Sequence, residues 1–311
     1  MKLSNININK LPPVRFLYQT AQKVILPGLN GASLYDVGKF FITEINDVNL
    51  LERADLVTFN FIMAIPSTFL FLFSLVPYLP LKNVQQTILN TLKLVTPNSK
   101  IYQSVQGVVV DFMNKQHHTV LSFGLLLTLY FASNGMGALM KSFDRSLTLY
   151  KKRNFLKRKW TSIKLTIILI GVLIATIGVL IIQNKSINKL LLSVFHNVAA
   201  IKVVSFIILV LLMFVAISII YTYGPSLTHR FKFISAGSIF ATIASLILTF
   251  VFFFLVNNFL NYNKVYGSIG SLIAFMVWLW YNTIILLIGY ELNVSILLGK
   301  LSQESIIEIE E

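Results

Sequence analysis

The sequence predicts an all-α integral membrane protein: a bundle of six transmembrane helices with both termini in the cytoplasm, an N-terminal amphipathic helix and an outer helical hairpin. Two observations predict this class. Of the 311 residues, 56% are hydrophobic and only 12% are charged, about half the charged share of a water-soluble domain. Apolar runs of about 20 residues recur, and a helix of that length crosses a hydrocarbon core of about 30 Å.

Six apolar segments are long enough to cross a bilayer as helices. They cover approximately Ala54–Leu79, Thr119–Phe143, Thr161–Ile182, Ile201–Tyr223, Ile234–Leu260 and Tyr266–Leu298. The chain therefore divides into a cytoplasmic segment (1–53), a membrane domain (54–298) and an acidic tail (299–311), which we expect to be solvated. The N-terminus lacks the pattern of a cleaved signal peptide, so the first span is expected to serve as the insertion signal.

Lysine and arginine residues predict the orientation. If both termini lie on one side, that side holds 18 of the 26 Lys and Arg residues. Basic residues accumulate on the cytoplasmic side of membrane proteins, so both termini are expected to face the cytoplasm.

Two further helical elements are expected outside the spans. Apolar residues recur at helical spacing between Leu34 and Val48, which predicts an amphipathic helix on the inner leaflet. Residues 81–116 carry two amphipathic stretches separated by a break at Pro97, which predicts an outer helical hairpin that caps the bundle.

The formal net charge of +14 suits either nucleic acid or anionic lipid as a partner. The basic residues flank the apolar segments, which favours lipid headgroups and argues against nucleic acid. The cytoplasmic loop 144–160 holds the densest cluster of expected headgroup contacts, namely Lys151, Lys152, Arg153, Lys157, Arg158 and Lys159.

Small residues indicate where helices approach closely, since helices in lipid pack through Gly, Ala, Ser and Thr. The third segment offers Gly171 and Ala175 at a spacing of four. The fifth segment repeats this spacing with Gly237, Ala241, Ser245 and Thr249.

Polar residues within the apolar segments are candidates for a substrate pathway or for polar packing: Asn60, Pro66, Ser67, Asn134 and Asn282. Pro66 frees a carbonyl one turn earlier, which either coordinates an ion or substrate or is satisfied by a neighbouring helix across a kink. A single Asn in a span either contacts a ligand or links two helices by a hydrogen bond worth about 1 kcal/mol.

Glu291 is the one acidic residue of the last apolar segment. It lies about 37 Å from Tyr266 along a helix, near the level of the cytoplasmic headgroups. It is either an interfacial carboxylate paired with a cytoplasmic Arg or Lys, or the inner mouth of a pathway.

No enzyme activity, cofactor or metal site is predicted. The sequence has no Cys, and it lacks the GxSxG, HExxH, phosphate-loop and dinucleotide patterns. Its 12 acidic residues form no paired cluster of the kind that two-metal phosphodiester hydrolysis requires.

Residues 259–294 read "FLNYNKVYGSIGSLIAFMVWLWYNTIILLIGYELNV". Together with "YTYGP" at 221–225 and "SAGSIFATIASLI" at 235–247, this pattern closely resembles the YihY/virulence factor BrkB family of bacterial inner-membrane proteins. The resemblance covers roughly residues 35–298. The positions that carry the signature are Tyr266, Gly267, Gly270, Gly289, Glu291 and Asn293. The resemblance implies six spans in the inner membrane and a poorly settled role, since members carry ribonuclease BN, serum-resistance and lipid-export labels.

The sequence favours a transporter or lipid-handling protein of the cell envelope, because small-residue packing, a broken helix and polar groups within spans are typical of transporters. Its substrate would be an unidentified solute or lipid. The alternative is a non-transporting scaffold that recruits partners through the basic loop and the acidic tail.

Overall fold

The computed structural model describes residues 50–75, 118–144, 153–182, 198–228, 230–258 and 268–310, with scattered positions between 37 and 111. Within these ranges the elements are six long helices: α1 Leu50–Leu75, α2 His118–Phe143, α3 Phe155–Ile182, α4 Val198–Tyr223, α5 Ala236–Asn258 and α6 Ser268–Glu310. The all-helical class is therefore confirmed for the described part of the chain. The predicted amphipathic helix and outer hairpin lie mostly outside it.

Five of the described helices, α2 to α6, are long and apolar enough to cross a membrane. The prediction of a multi-pass membrane protein is thus confirmed. Helix α1 is not among the five. It has 26 residues and carries Glu52 in its first turn and Pro66 in its interior. A count of six spans remains a prediction.

Two helix boundaries differ from those predicted. Helix α3 begins at Phe155 rather than Thr161, so Lys157 and Lys159 lie on its first two turns rather than in a loop. Helix α6 continues to Glu310, so the segment expected to be a solvated tail is helical over residues 299–310. Glu, Gln, Lys and Leu favour helices, and neither Gly nor Pro follows Gly299 to end this one.

The six helices form a ring in chain order. Each helix packs against the next, α6 returns to contact α1, and α2 also contacts α6. Arg53 contacts Glu291 and Thr58 contacts Thr283, so α1 and α6 run antiparallel. Closure of the ring brings the two ends of the membrane domain together.

Buried residues concentrate at one end of this ring, where α1, α3 and α5 begin and α2 and α4 end. We call this end the base, which comprises residues 50–58, 133–144, 153–166, 217–226, 235–245 and 283–296. One hydrophobic cluster fills it, built around Val57, Leu139, Phe143, Tyr221 and Tyr290. The base is where side chains of all six helices meet.

The rest of the ring exposes apolar side chains. Leu126, Phe206 and Phe250 are each more than half exposed, as expected for residues that contact lipid tails. Along α6 half of the apolar window is buried, against 17% in α3 and α5. Helix α6 is therefore the most buried of the five apolar helices.

Candidate functional site

An ion pair joins α1 and α6 inside the base. The distance between Arg53 Nη1 and Glu291 Oε1 is 2.9 Å, and the Glu291 side chain is fully buried while that of Arg53 is 15% exposed. Arg53 also donates from Nη2 to the main-chain carbonyl of Ser142, at the end of α2. One guanidinium therefore links three helices, and it compensates a carboxylate that would be strongly unfavourable in this position alone.

Aromatic rings fill the base beside this pair. Phe143 stacks on Tyr290 with 4.1 Å between ring centroids, and Tyr221 and Phe231 meet Tyr290 edge-on at 6.1 and 5.8 Å. The Tyr221 hydroxyl donates to the carbonyl of Leu286 over 2.6 Å, which satisfies the buried phenol. Each such ring pair contributes about 0.5–1.5 kcal/mol beyond burial, so the base is closely packed.

Helices α5 and α6 touch at two glycines. A Cβ atom on Gly237 would overlap the carbonyl oxygen of Gly289, and one on Gly289 would lie 2.7 Å from the Tyr221 hydroxyl and 2.9 Å from Ala241 Cβ. No side chain fits between the two backbones. The small-residue contact predicted for the fifth segment is therefore present, whereas Gly171 of α3 has open space around it.

Asn293 caps the start of α5. Its Oδ1 accepts a hydrogen bond from the Gly237 amide over 2.8 Å, and its Nδ2 donates to Ser235 Oγ over 2.9 Å. The first amides of a helix lack partners within it, and a side-chain amide from α6 supplies one here. This contact ties α6 to the first turn of α5.

A second polar cluster links the ends of α2, α3 and α4. Asp144 accepts from the amide and hydroxyl of Ser226 at 3.0 and 2.6 Å, and Arg153 donates to the carbonyls of residues 224 and 225. Burial lowers the pKa of Arg153, Asp144 raises it and Arg230 lowers it. Arginine still stays charged at any physiological pH, so the hydrogen bonds of Arg153 to the end of α4 do not depend on pH in that range.

Lys159 of α3 points to α2. Its Nζ lies 2.7 Å from Asn134 Oδ1 and 3.0 Å from Ser133 Oγ, and 5.3 Å from the centroid of the Tyr130 ring. Asn134 thus binds a cation of the protein itself. Arg153 and Lys159, two of the six predicted headgroup contacts, both have protein partners, while Lys157 is exposed.

The other predicted pathway residues do not converge. Asn60, Asn282 and Ser67 each donate to a carbonyl of their own helix, at 2.8, 2.8 and 2.9 Å. Pro66 is exposed, and the carbonyl of the next residue accepts from Thr128 of α2 over 2.8 Å. These polar groups therefore have hydrogen-bond partners on their own helix or on the neighbouring one, as the alternative of polar packing expects.

Three of the four described signature positions lie in the base, and the fourth, Gly270, lies near the start of α6. Gly289, Glu291 and Asn293 contact α5, α1 and α5 respectively, and Gly270 is buried within α6. Tyr266 and Gly267, together with Lys151 and Lys152, lie outside the described residues.

Sequence reasoning missed the partners that α1 supplies to α6. Besides Arg53, Asp55 accepts from Trp280 Nε1 over 2.6 Å, and Thr58 donates to Thr283 over 3.2 Å. The sequence did carry a signal for the contact with Glu291, because Arg53 immediately precedes the first predicted span and lies on the same predicted side of the membrane as Glu291. Many other basic residues share that side, so topology alone did not select it.

The described residues contain no group of three or more His, Asp or Glu side chains placed to hold a metal ion. What the base offers instead is a compensated charge pair between two helices that are distant in sequence. Such a pair fixes the distance between α1 and α6 while it is intact.

A ring of long apolar helices, held at one end by buried polar contacts, defines a multi-pass membrane protein. The chain belongs to the virulence factor BrkB family, whose model matches residues 41–305. It is 31% identical over 251 residues to the "Putative ribonuclease-like protein YfkH" of Bacillus subtilis, covering 78% of this chain and 88% of the relative. It is 30% identical over 79 residues to the "UPF0761 membrane protein Rru_A2625" of Rhodospirillum rubrum, covering 25% and 18% of the two chains. No solved structure matches the chain.

Proposed function

We propose that this protein is a transporter or lipid-handling protein of the bacterial inner membrane, with both termini in the cytoplasm and the base acting as its cytoplasmic gate. The substrate class is an envelope lipid or a small solute. The observation that carries the proposal is the unequal packing of the ring, whose base holds most of the buried side chains while the described remainder of α3, α4 and α5 buries few.

Alternating access requires one end of a bundle to be closed while the other end is open. The base meets the first requirement through the Arg53–Glu291 pair and the packed hydrophobic cluster around Tyr290. Away from the base, the described parts of α3, α4 and α5 bury few side chains. This contrast supports a carrier whose cytoplasmic end is shut.

A buried ion pair is suited to holding such a gate closed. Apolar residues of the same volume often stabilise a bundle as well as a buried pair does, so stability alone gives little reason to use one. Charges that separate on opening can instead be taken up by water or by a charged substrate. We therefore infer that the Arg53–Glu291 pair breaks when α1 and α6 separate.

The scaffold alternative depends on basic residues that are free to meet a partner. Arg153 already binds two main-chain carbonyls of the protein, which weakens that alternative. Changing Lys151, Lys152, Lys157 and Arg158 to Gln, with Arg153 and Lys159 kept, tests it, since a scaffold would lose its partner and a carrier would keep its transport.

We propose no ribonuclease activity, although one relative is named ribonuclease-like. The argument is chemical, because phosphodiester hydrolysis at neutral pH needs an acid–base pair or bound metals. Incubation of purified protein with RNA and Mg²⁺ or Mn²⁺ tests this, and metal-dependent cleavage that follows the protein through purification would overturn it.

Lipid movement is the direct test of the carrier. Proteoliposomes with a fluorescent phosphatidylglycerol in both leaflets report exchange through the share of fluorescence that external dithionite quenches. We expect quenching beyond one leaflet with the wild type, and less with Glu291→Gln. The charge-swapped variant Arg53→Glu with Glu291→Arg should recover part of the rate. Movement that is equal in all variants would refute the gate, and no movement of lipid in any vesicle would leave only solutes as substrates.

A further inference from the structure

Lys159 combines three features that structural lysines rarely share. It lies within the apolar window Phe155–Val179 of α3 and is half-buried, and its hydrogen-bond acceptors are neutral side chains, Ser133 Oγ and Asn134 Oδ1. Among the residues that the structure describes, no carboxylate forms an ion pair with it. An ammonium has three donors, so one remains after these two bonds.

The lysine extends along α3 towards the middle of the bundle, away from the end at which α3 begins. Ser162, one turn further along α3, donates to the carbonyl of the same Ser133 that Lys159 contacts. The ammonium therefore lies at the level of residues 133 and 134, about 14 Å along α2 from Phe143. A lysine that merely sought water would extend towards the nearer membrane surface.

The ammonium lies at the lipid-exposed side of the bundle. It contacts the ring of Tyr130, which is 58% exposed, and the next residue of α3, Trp160, is 64% exposed. Exposed Tyr and Trp side chains are typical of the zone where headgroups meet acyl chains. A ligand can therefore approach from the bilayer between α2 and α3.

An apolar stripe continues from this point along α2. Phe123, Leu126 and Tyr130 precede Asn134 by 11, 8 and 4 residues, which places all four on one helix face. Each of the three is more than half exposed. The stripe is about 16 Å long, close to the half-thickness of a hydrocarbon core of about 30 Å.

We propose that Lys159, held by Asn134 and Ser133, binds the phosphate of an anionic phospholipid whose acyl chain lies along Phe123, Leu126 and Tyr130. Lysine binds phosphate as a compact point charge. The lipid supplies an anion that the described residues do not, and the stripe fits its tail. The inference does not depend on transport, because a lipid held here could equally be a permanent part of the bundle.

Native mass spectrometry of the delipidated protein tests the proposal. Phosphatidylglycerol, phosphatidylcholine with the same acyl chains and inorganic phosphate are added separately. We expect one phosphatidylglycerol to be retained, phosphatidylcholine to be retained more weakly, and phosphate neither to bind nor to compete. Lys159→Met should weaken phosphatidylglycerol retention about tenfold or more, while Lys157→Met, an exposed lysine on the same helix, should leave it unchanged.

Asn134→Asp separates lipid binding from folding. The new carboxylate would pair with Lys159 at the present 2.7 Å contact, so the α2–α3 link is kept while the charge available to a lipid is neutralised. We expect a melting temperature at or above that of the wild type and a loss of phosphatidylglycerol. Equal retention by the wild type, Lys159→Met and Asn134→Asp would overturn the proposal. An equal loss in Lys157→Met would show general charge attraction, and phosphate binding by itself would replace the lipid with a free anion; both would overturn it.

Discussion

Replacing Glu291 by Gln removes the buried negative charge of the base while keeping the shape of the side chain. Arg53 then remains largely buried without its counter-ion and retains the Ser142 carbonyl. Breaking a buried pair by removing one partner costs about 3–5 kcal/mol. Because Arg53 is 15% exposed and keeps one acceptor, we expect the lower end, about 3 kcal/mol.

The matched double variant, Arg53→Met with Glu291→Leu, should behave differently. Two apolar residues of similar volume leave no uncompensated charge, so the free energy of unfolding should return to within about 1 kcal/mol of the wild type. Asp55→Asn is the control, since it makes the same chemical change at an exposed position of α1 whose side-chain oxygen can still accept from Trp280.

Equilibrium unfolding by SDS in mixed micelles, followed by far-UV circular dichroism, gives these free energies. Adding the single variants Arg53→Met and Glu291→Leu completes a double-mutant cycle, which isolates the coupling between the two side chains. The reasoning is refuted if Glu291→Gln is no more destabilising than Asp55→Asn, or if the double variant is as unstable as the single one.

The same unfolding assay tests three further changes and one control variant. Gly237→Ala should destabilise the protein by more than about 2 kcal/mol, because the added methyl overlaps the Gly289 backbone and overpacking costs about 1–3 kcal/mol or more. Gly171→Ala is the control. Its methyl enters open space, so it should stabilise the protein slightly through helix propensity. Tyr221→Phe should cost about 1 kcal/mol through its lost hydrogen bond. Asn293→Ala should cost about 1 kcal/mol through the lost α5 cap. A Gly171→Ala loss that matches Gly237→Ala would contradict the packing argument.

Hydropathy predicted the helices of this fold well, because crossing a hydrocarbon core constrains each segment separately. The closed ring could not be predicted in this way. It depends on contacts such as Arg53–Glu291, which are 238 residues apart, and apolar patterning on a lipid-facing helix does not say which neighbour it meets. The start of α3 was misplaced for a related reason, since Lys157 and Lys159 resemble a loop in hydropathy although both favour helices.

Single polar residues were a weaker guide to the candidate site. An Asn or Ser within a helix can donate to a carbonyl one turn earlier, as Asn60 and Asn282 do, so polarity within a span does not imply a shared site. A buried carboxylate has no such local solution. That difference explains why Glu291 marked a point where helices meet, whereas Asn60 and Asn282 did not.

The GYELN motif has a packing role at each of its polar or small positions. Gly289 and Asn293 lie one turn apart and both contact α5, while Glu291 lies between them and reaches α1. Packing therefore accounts for the motif. A gate requires in addition that the charge of Glu291 takes part in transport. The apolar double variant separates the two roles: a protein that regains its stability but not its transport must use the charge itself, and one that regains both uses the pair only to hold α1 against α6.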